Sequence, residues 1–179
     1  MLDWNVVVSA KERGFTMARD ILAEYGRTQR THYHNVLVMK VPSPTDFLAQ
    51  LEDRLHVNPD LLTYVSRIAP ATYAFDFSAP PDFESQVRAV VPTWTVQLAG
   101  KKFHVRMHRR GLKGLVRSPV EERFVDEVLL AALTDAGTPG TIGFDDADAI
   151  VDVETVDHRA GLALWTRADL ARYPFLKPE

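Results

Sequence analysis

Lys101-Lys102-Phe103-His104-Val105-Arg106-Met107-His108-Arg109-Arg110-Gly111 is the stretch from which the rest of the chain can be read. Phe103, Val105 and Met107 alternate with polar residues, the period of a half-buried strand. The odd positions then face the core, and Lys102, His104, Arg106 and His108 share the opposite face. Arg109-Arg110 runs into a turn at Gly111, where glycine admits close backbone approach. Between 101 and 117 stand Lys101, Lys102, Arg106, Arg109, Arg110, Lys113 and Arg117, with no Asp or Glu among them. The whole chain has a net charge of -3, so its cations are segregated rather than scattered. A segregated basic strip on an acidic protein suits a polyanion, with arginine forks for phosphate oxygens and lysines as point charges. The bland alternative is a strand decorated with cations against aggregation.

On the N-terminal side, 4–9 reads as a β-branched strand and 12–25 as a helix with Gly26 as its stop. Strands are expected at 27–32 and 36–41, then a helix with Ser43 as N-cap and Pro44 at N1. Its apolar stripe is Phe47, Leu48, Leu51 and Leu55, and a strand at about 61–69 follows. Strand–helix–strand–strand–helix–strand is the split βαβ, ferredoxin-like order. The Ser78–Asp82 stretch, with two prolines, reads as the boundary, giving modules of 1–77 and 82–179.

On the C-terminal side a helix is expected at about 81–91, then strands at 94–98 and 102–108 about Gly100. Ser118-Pro119 reads as N-cap and N1 of another helix, with Glu121 in the capping-box position and Phe124, Val128, Leu129 and Leu133 on its apolar face. Residues 149–156 and 161–166 read as a hairpin. The fold class is α/β of the α+β kind, a ferredoxin-like module followed by a domain with a mixed sheet.

The segment Phe103–Gly111, followed by Ser118 and Glu121-Glu122-Arg123-Phe124, resembles the THUMP domain signature. Asp148–Glu154 resembles that family's next strand, and Leu162–Trp165 its final hairpin partner. The resemblance covers about residues 82–179, and a ferredoxin-like module ahead of such a domain is a common arrangement in the family. Val125-Asp126-Glu127 stands where many members carry a glycine pair. The resemblance implies tRNA binding, in which the two modules together grip the acceptor stem with the 3′ end near the THUMP domain. It carries over to Arg106, Arg109 and Arg110. Lys101, Lys102, His104, His108, Lys113 and Arg117 are added on charge and strand face alone.

Many relatives of that family also carry a catalytic domain, a methyltransferase, deaminase or sulfur-inserting enzyme. No Gly-x-Gly-x-x-Gly loop, Walker lysine or pyrophosphatase-type Ser-Gly-Gly loop is present in these 179 residues. With no cysteine there is no disulfide, cysteine-ligated zinc or thiol nucleophile. The expectation is a non-catalytic protein without cofactor or metal. Trp165–Phe175 resembles the tail of the stand-alone tRNA acetylation adaptors. That implies presentation of tRNA to a separate acetyltransferase making N4-acetylcytidine. Three other readings stay open: an RNA-binding accessory to thiolation or methylation, a Mg²⁺-dependent enzyme, and a module binding an acidic protein.

The enzyme reading would use Asp145, Asp146, Asp148, Asp152, Glu154 and Asp157, whose spacing fits no calcium loop. His32-x-His34 reads as a polar strand end rather than a metal pair, and Gly137–Gly143 as a connecting loop lacking the lysine of a phosphate loop. Trp4 and Trp94 fall in expected strands and read as core, whereas Trp165 is a candidate for base stacking. The N-terminus lacks the pattern of a secretion signal and no apolar run is long enough to span a bilayer, so a cytoplasmic protein is expected. Oligomeric state is left open by the sequence.

Overall fold

A computed structural model describes residues 1–178. The chain divides into two compact units, Met1–Thr72 with Leu170–Pro178, and Tyr73–Asp169.

The first unit contains β1 (Val6–Ala10), α1 (Phe15–Leu22), β2 (Arg27–Arg30), β3 (Val36–Lys40), α2 (Pro44–Val57), the single-turn α3 (Leu61–Tyr64) and β4 (Val65–Pro70). Its sheet runs β2-β3-β1-β4 and every pair is antiparallel. The helix after β1 therefore leads to a strand two places away, with β3 inserted between. The connection from β3 to β4 does the same around β1. This is the split βαβ order expected from the sequence. β1 is central and nearly all buried, as its Val-Val-Val run requires. α1 buries Ala18, Ile21 and Leu22 but ends at Leu22, short of the expected 25. Ser43 caps α2 as expected, its hydroxyl accepting from the Asp46 amide at 3.2 Å. The expected strand at 61–69 begins only at Val65, because Leu61–Tyr64 form a helical turn.

The second unit contains β5 (Tyr73–Asp76), α4 (Pro80–Val90), a 3₁₀ turn (Val91–Trp94), α5 (Thr95–Leu98), β6 (Lys102–Arg110), α6 (Ser118–Asp135), β7 (Thr141–Ile142), β8 (Ala149–Val156) and β9 (Arg159–Thr166). A last helix, α7 (Arg167–Arg172), leads back to the first unit. The sheet order is β5-β9-β8-β6-β7, with β6 parallel to β7 and β8 and the rest antiparallel. It is the mixed sheet expected. Phe103, Val105 and Met107 of β6 join Phe83, Val87, Val91, Trp94, Leu98, Leu129 and Leu133 in one core.

Several boundaries differ from the sequence reading. The expected strand at 94–98 is helical: Val87, Val91, Trp94 and Leu98 recur at helical spacing and are buried, while Val96 between them is 85% exposed. The units divide at Thr72/Tyr73 instead of within 78–81. Tyr73–Asp76 pairs with β9, and Pro80 opens a helix at N1 rather than marking a linker. The C-terminal segment, assigned from sequence to the second module, is tied to β4: Phe175 O accepts from Ile68 N at 2.8 Å and Leu176 O from Arg67 Nε at 3.0 Å. Arg172 clasps Glu52 through two bonds of 2.7 and 2.6 Å.

Candidate nucleic-acid interface

β6 lies between β8 and the two-residue β7, and its two faces differ as its alternation demands. Phe103, Val105 and Met107 are buried in the core. On the other face the strip is far less open than the sequence implied. In the parallel register Arg106 stands beside Asp152 and His108 beside Glu154. Those two β8 carboxylates are each only 2% exposed. His108 Nδ1 lies 3.4 Å from an Asp152 oxygen and 3.2 Å from a Glu154 oxygen. Arg110 Nη1 donates to Glu154 at 2.6 Å. Arg110 and, when protonated, His108 thus neutralise buried acids, which is what makes burial of those acids tolerable.

His104 departs furthest from expectation. It is 1% exposed rather than a ligand-facing donor, with Nδ1 3.1 Å from the Gly143 carbonyl and its ring 5.0 Å from that of Phe144. Arg109 projects from the opposite face to Arg110 and folds back to donate to the Gly111 carbonyl. Arg106 is half-buried, and its Nε has no hydrogen-bond partner among the described residues.

The open cations sit at the two ends of the strand. Lys101 is exposed and Lys102 half-exposed at the start. At the far end Gly111, Leu112 and Gly114 take positive φ (88°, 52° and 87°), which turns the chain tightly. Leu112 packs against the core and Val116 is buried within it. Between and after these two anchors Lys113 and Arg117 stand exposed. Arg117, not Ser118, is the N-cap of α6, and no side chain caps that end. Two exposed residues were not assigned to the interface from the sequence. Arg123 lies on α6 five residues from its start, and Phe144, 64% exposed, rests on His104. Arg123 lies six residues from Arg117, a spacing that does not share a helical face, and nothing in the sequence placed Phe144 on β6.

Glu121 was expected to close a capping box. It is instead 3% exposed. Burial, with the Glu84 carboxylate beside it, pushes its pKa up to about 7. Asp126, one turn on, is also raised to about 7 by burial with Glu122 and Glu127 nearby. Glu122 accepts from the Met107 amide at 2.8 Å, satisfying part of the β6 edge beyond β7.

The acidic cluster does not assemble into one site. Asp148 holds β6 to β8 by accepting from the Lys102 amide at 2.9 Å, and this bond and Arg167 keep its pKa low. Arg167 also donates to Asp146. Asp157 lies in the β8–β9 turn. Among the described residues only Asp152 and Glu154 of this cluster meet, and with His108 they bring three potential metal-ligand atoms within 4.8 Å of one another. Arg110 already engages one Glu154 oxygen there, supplying positive charge that a cation would otherwise supply. Trp165, the candidate for base stacking, is 7% exposed.

No protein-family model matches the chain, and no curated protein matches it in sequence. Its fold is found in solved structures. PH1313 from Pyrococcus horikoshii aligns with a TM-score of 0.61 at 15% identity, over 90% of this chain and 54% of that one. TrmN from Thermus thermophilus aligns with a TM-score of 0.59 at 16% identity, over 90% of this chain and 44% of that one. A 4-thiouridine synthetase, solved as an RNA complex with bound ATP, aligns with a TM-score of 0.53 at 11% identity, over 90% and 41%. The shared feature is the fold, and the chain spans about half the length of the structures it matches.

Proposed function

We propose that this chain is a tRNA-binding protein with a THUMP-like second unit behind a ferredoxin-like first unit. On this reading it is a non-catalytic adaptor that presents the acceptor stem and 3′ end to a separate modifying enzyme. The observation that carries the reading is the exposed group Lys101, Lys113 and Arg117 at the two ends of β6. It sits on a fold shared with a synthetase captured on RNA. These side chains are exposed, so phosphates can be met without dismantling the core. Folded RNA is read mostly by shape and backbone, which suits cations on a rigid strand and pinned loop. The likeness of the C-terminal tail to the acetylation adaptors makes an N4-acetylcytidine acetyltransferase the favoured partner.

The test is binding of the purified chain to total tRNA at 50 and 200 mM salt, beside a Lys101→Ala/Lys113→Ala/Arg117→Ala variant. With about four phosphates neutralised, affinity should fall about 100-fold across that salt range. The variant, which removes no core contact, should bind at least tenfold more weakly and with a shallower salt dependence. Equal binding by the folded variant would refute this surface, and salt-insensitive binding would refute phosphate contacts altogether.

A further inference from the structure

The sheet of the first unit has two edges, and only one is closed. β4 is covered by the C-terminal segment through Phe175 O and Leu176 O. β2, at the other end of the order, has no strand on its outer side among the described residues. Around it the sequence carries a second segregated stretch. From Tyr25 to Thr45 there is no Asp or Glu, while Arg27, Arg30 and Lys40 supply cations and His32 and His34 supply imidazoles.

The structure sorts these groups into engaged and available ones. Lys40 pairs with Asp3 at 3.4 Å, and His34 lies 3.2 Å from Glu12. Arg27 and Arg30 are exposed on β2 and neither has a carboxylate partner among the described residues. Arg30 is held in place by its guanidinium lying over the Phe15 ring, 4.9 Å from the centroid. Three residues apart on a strand, the two arginines project to opposite faces about 10 Å apart along the edge. They straddle it, one on each side. At the hairpin tip His32 is exposed, and its ring lies against that of Tyr33 with centroids 4.1 Å apart and planes tilted by 38°.

We infer that the β2 edge and the β2–β3 hairpin form a second RNA contact on the first unit. Arg27 and Arg30 bind consecutive stretches of phosphate backbone, and the exposed His32 ring, lying against Tyr33, offers a π-face to an unpaired base. The inference rests on the RNA-binding reading above. The pairing of cations with an exposed ring favours single-stranded or looped nucleotides over a blunt duplex, whose bases are already stacked internally. The competing explanation is that Arg27 and Arg30 only guard an open edge against strand pairing.

The experiment measures binding of the full chain, by fluorescence anisotropy, to a tRNA and to a blunt RNA duplex of acceptor-stem length. Wild type is compared with Arg27→Ala/Arg30→Ala and with His32→Ala, each first shown folded by circular dichroism. The arginine variant should lose about tenfold in tRNA affinity and reduce the slope of log affinity against log salt by about 2. His32→Ala should weaken tRNA binding about fivefold, the scale of one lost stacking contact, and leave the blunt duplex unchanged. Unchanged affinity and slope in both variants, with wild type binding normally, would overturn the inference while leaving the functional reading intact. Self-association of the arginine variant in that case would assign the edge charges to the guarding role. Failure of wild type to bind any RNA would overturn both readings, and is thereby distinguished from failure of this one.

Discussion

Replacing Glu121 by glutamine should make the protein more stable at alkaline pH and leave it nearly unchanged at acid pH. Glu121 is buried on α6 beside Glu84 of α4, and its pKa stands at about 7 instead of 4.5. Between those values the folded chain holds a proton that the unfolded chain has released. The stability linked to this group is therefore complete below pH 4.5 and is lost as pH rises through 7. The interval corresponds to at most about 3.4 kcal/mol at 1.36 kcal/mol per pH unit. Relaxation of the surroundings about the ionised carboxyl reduces that to about 1–2 kcal/mol. Glutamine keeps the shape and cannot ionise, so Glu121→Gln should gain about 1–2 kcal/mol over wild type at pH 8.5. That is a rise in Tm of about 3–6 °C for a chain of this size. Asp126, also raised to about 7, contributes a slope of the same sign that persists in the single variant. Glu121→Gln/Asp126→Asn should flatten the profile further. The assay is thermal unfolding followed by circular dichroism from pH 5 to 8.5. A glutamine variant with the wild-type pH profile, or one equally destabilised at both ends, would show that Glu121 is not the buried acid titrating near neutrality.

Two further expectations follow from the contacts. Arg110→Ala leaves the Glu154 carboxylate buried without its 2.6 Å guanidinium partner, and should cost about 3 kcal/mol in urea unfolding. Adding Glu154→Gln should recover much of that loss, and a double variant no better than the single one would place the energy elsewhere. Gly26→Ala would set a Cβ 2.5 Å from the Lys40 carbonyl, which is backbone and cannot move aside cheaply. It should destabilise by about 2 kcal/mol in the same measurement, whereas Gly100→Ala, with open space but a φ of 67°, should cost about 1 kcal/mol.

What the sequence determined by itself is the set of local decisions. The Val-Val-Val run of β1, the Ser43-Pro44 start of α2, the alternation of Phe103, Val105 and Met107, and the β8–β9 hairpin are each fixed by period or capping chemistry within a few residues. So is the split βαβ order, which needs only the succession of elements. Where two local patterns competed, the reading erred: Thr95–Leu98 alternates like a strand, yet Leu98 continues the helical spacing of Val87, Val91 and Trp94. Only the tertiary structure decided what faces each cation. Asp152 and Glu154 lie more than forty residues from Arg106 and His108 in sequence, and parallel pairing sets them side by side. That neighbour turned His108 and Arg110 from open donors into partners of buried acids. His104 was covered in the same way by Gly143 and Phe144, and the C-terminal segment was carried back to β4. Periodicity tells which way a side chain points; the charge it meets there depends on strands that are distant in the chain.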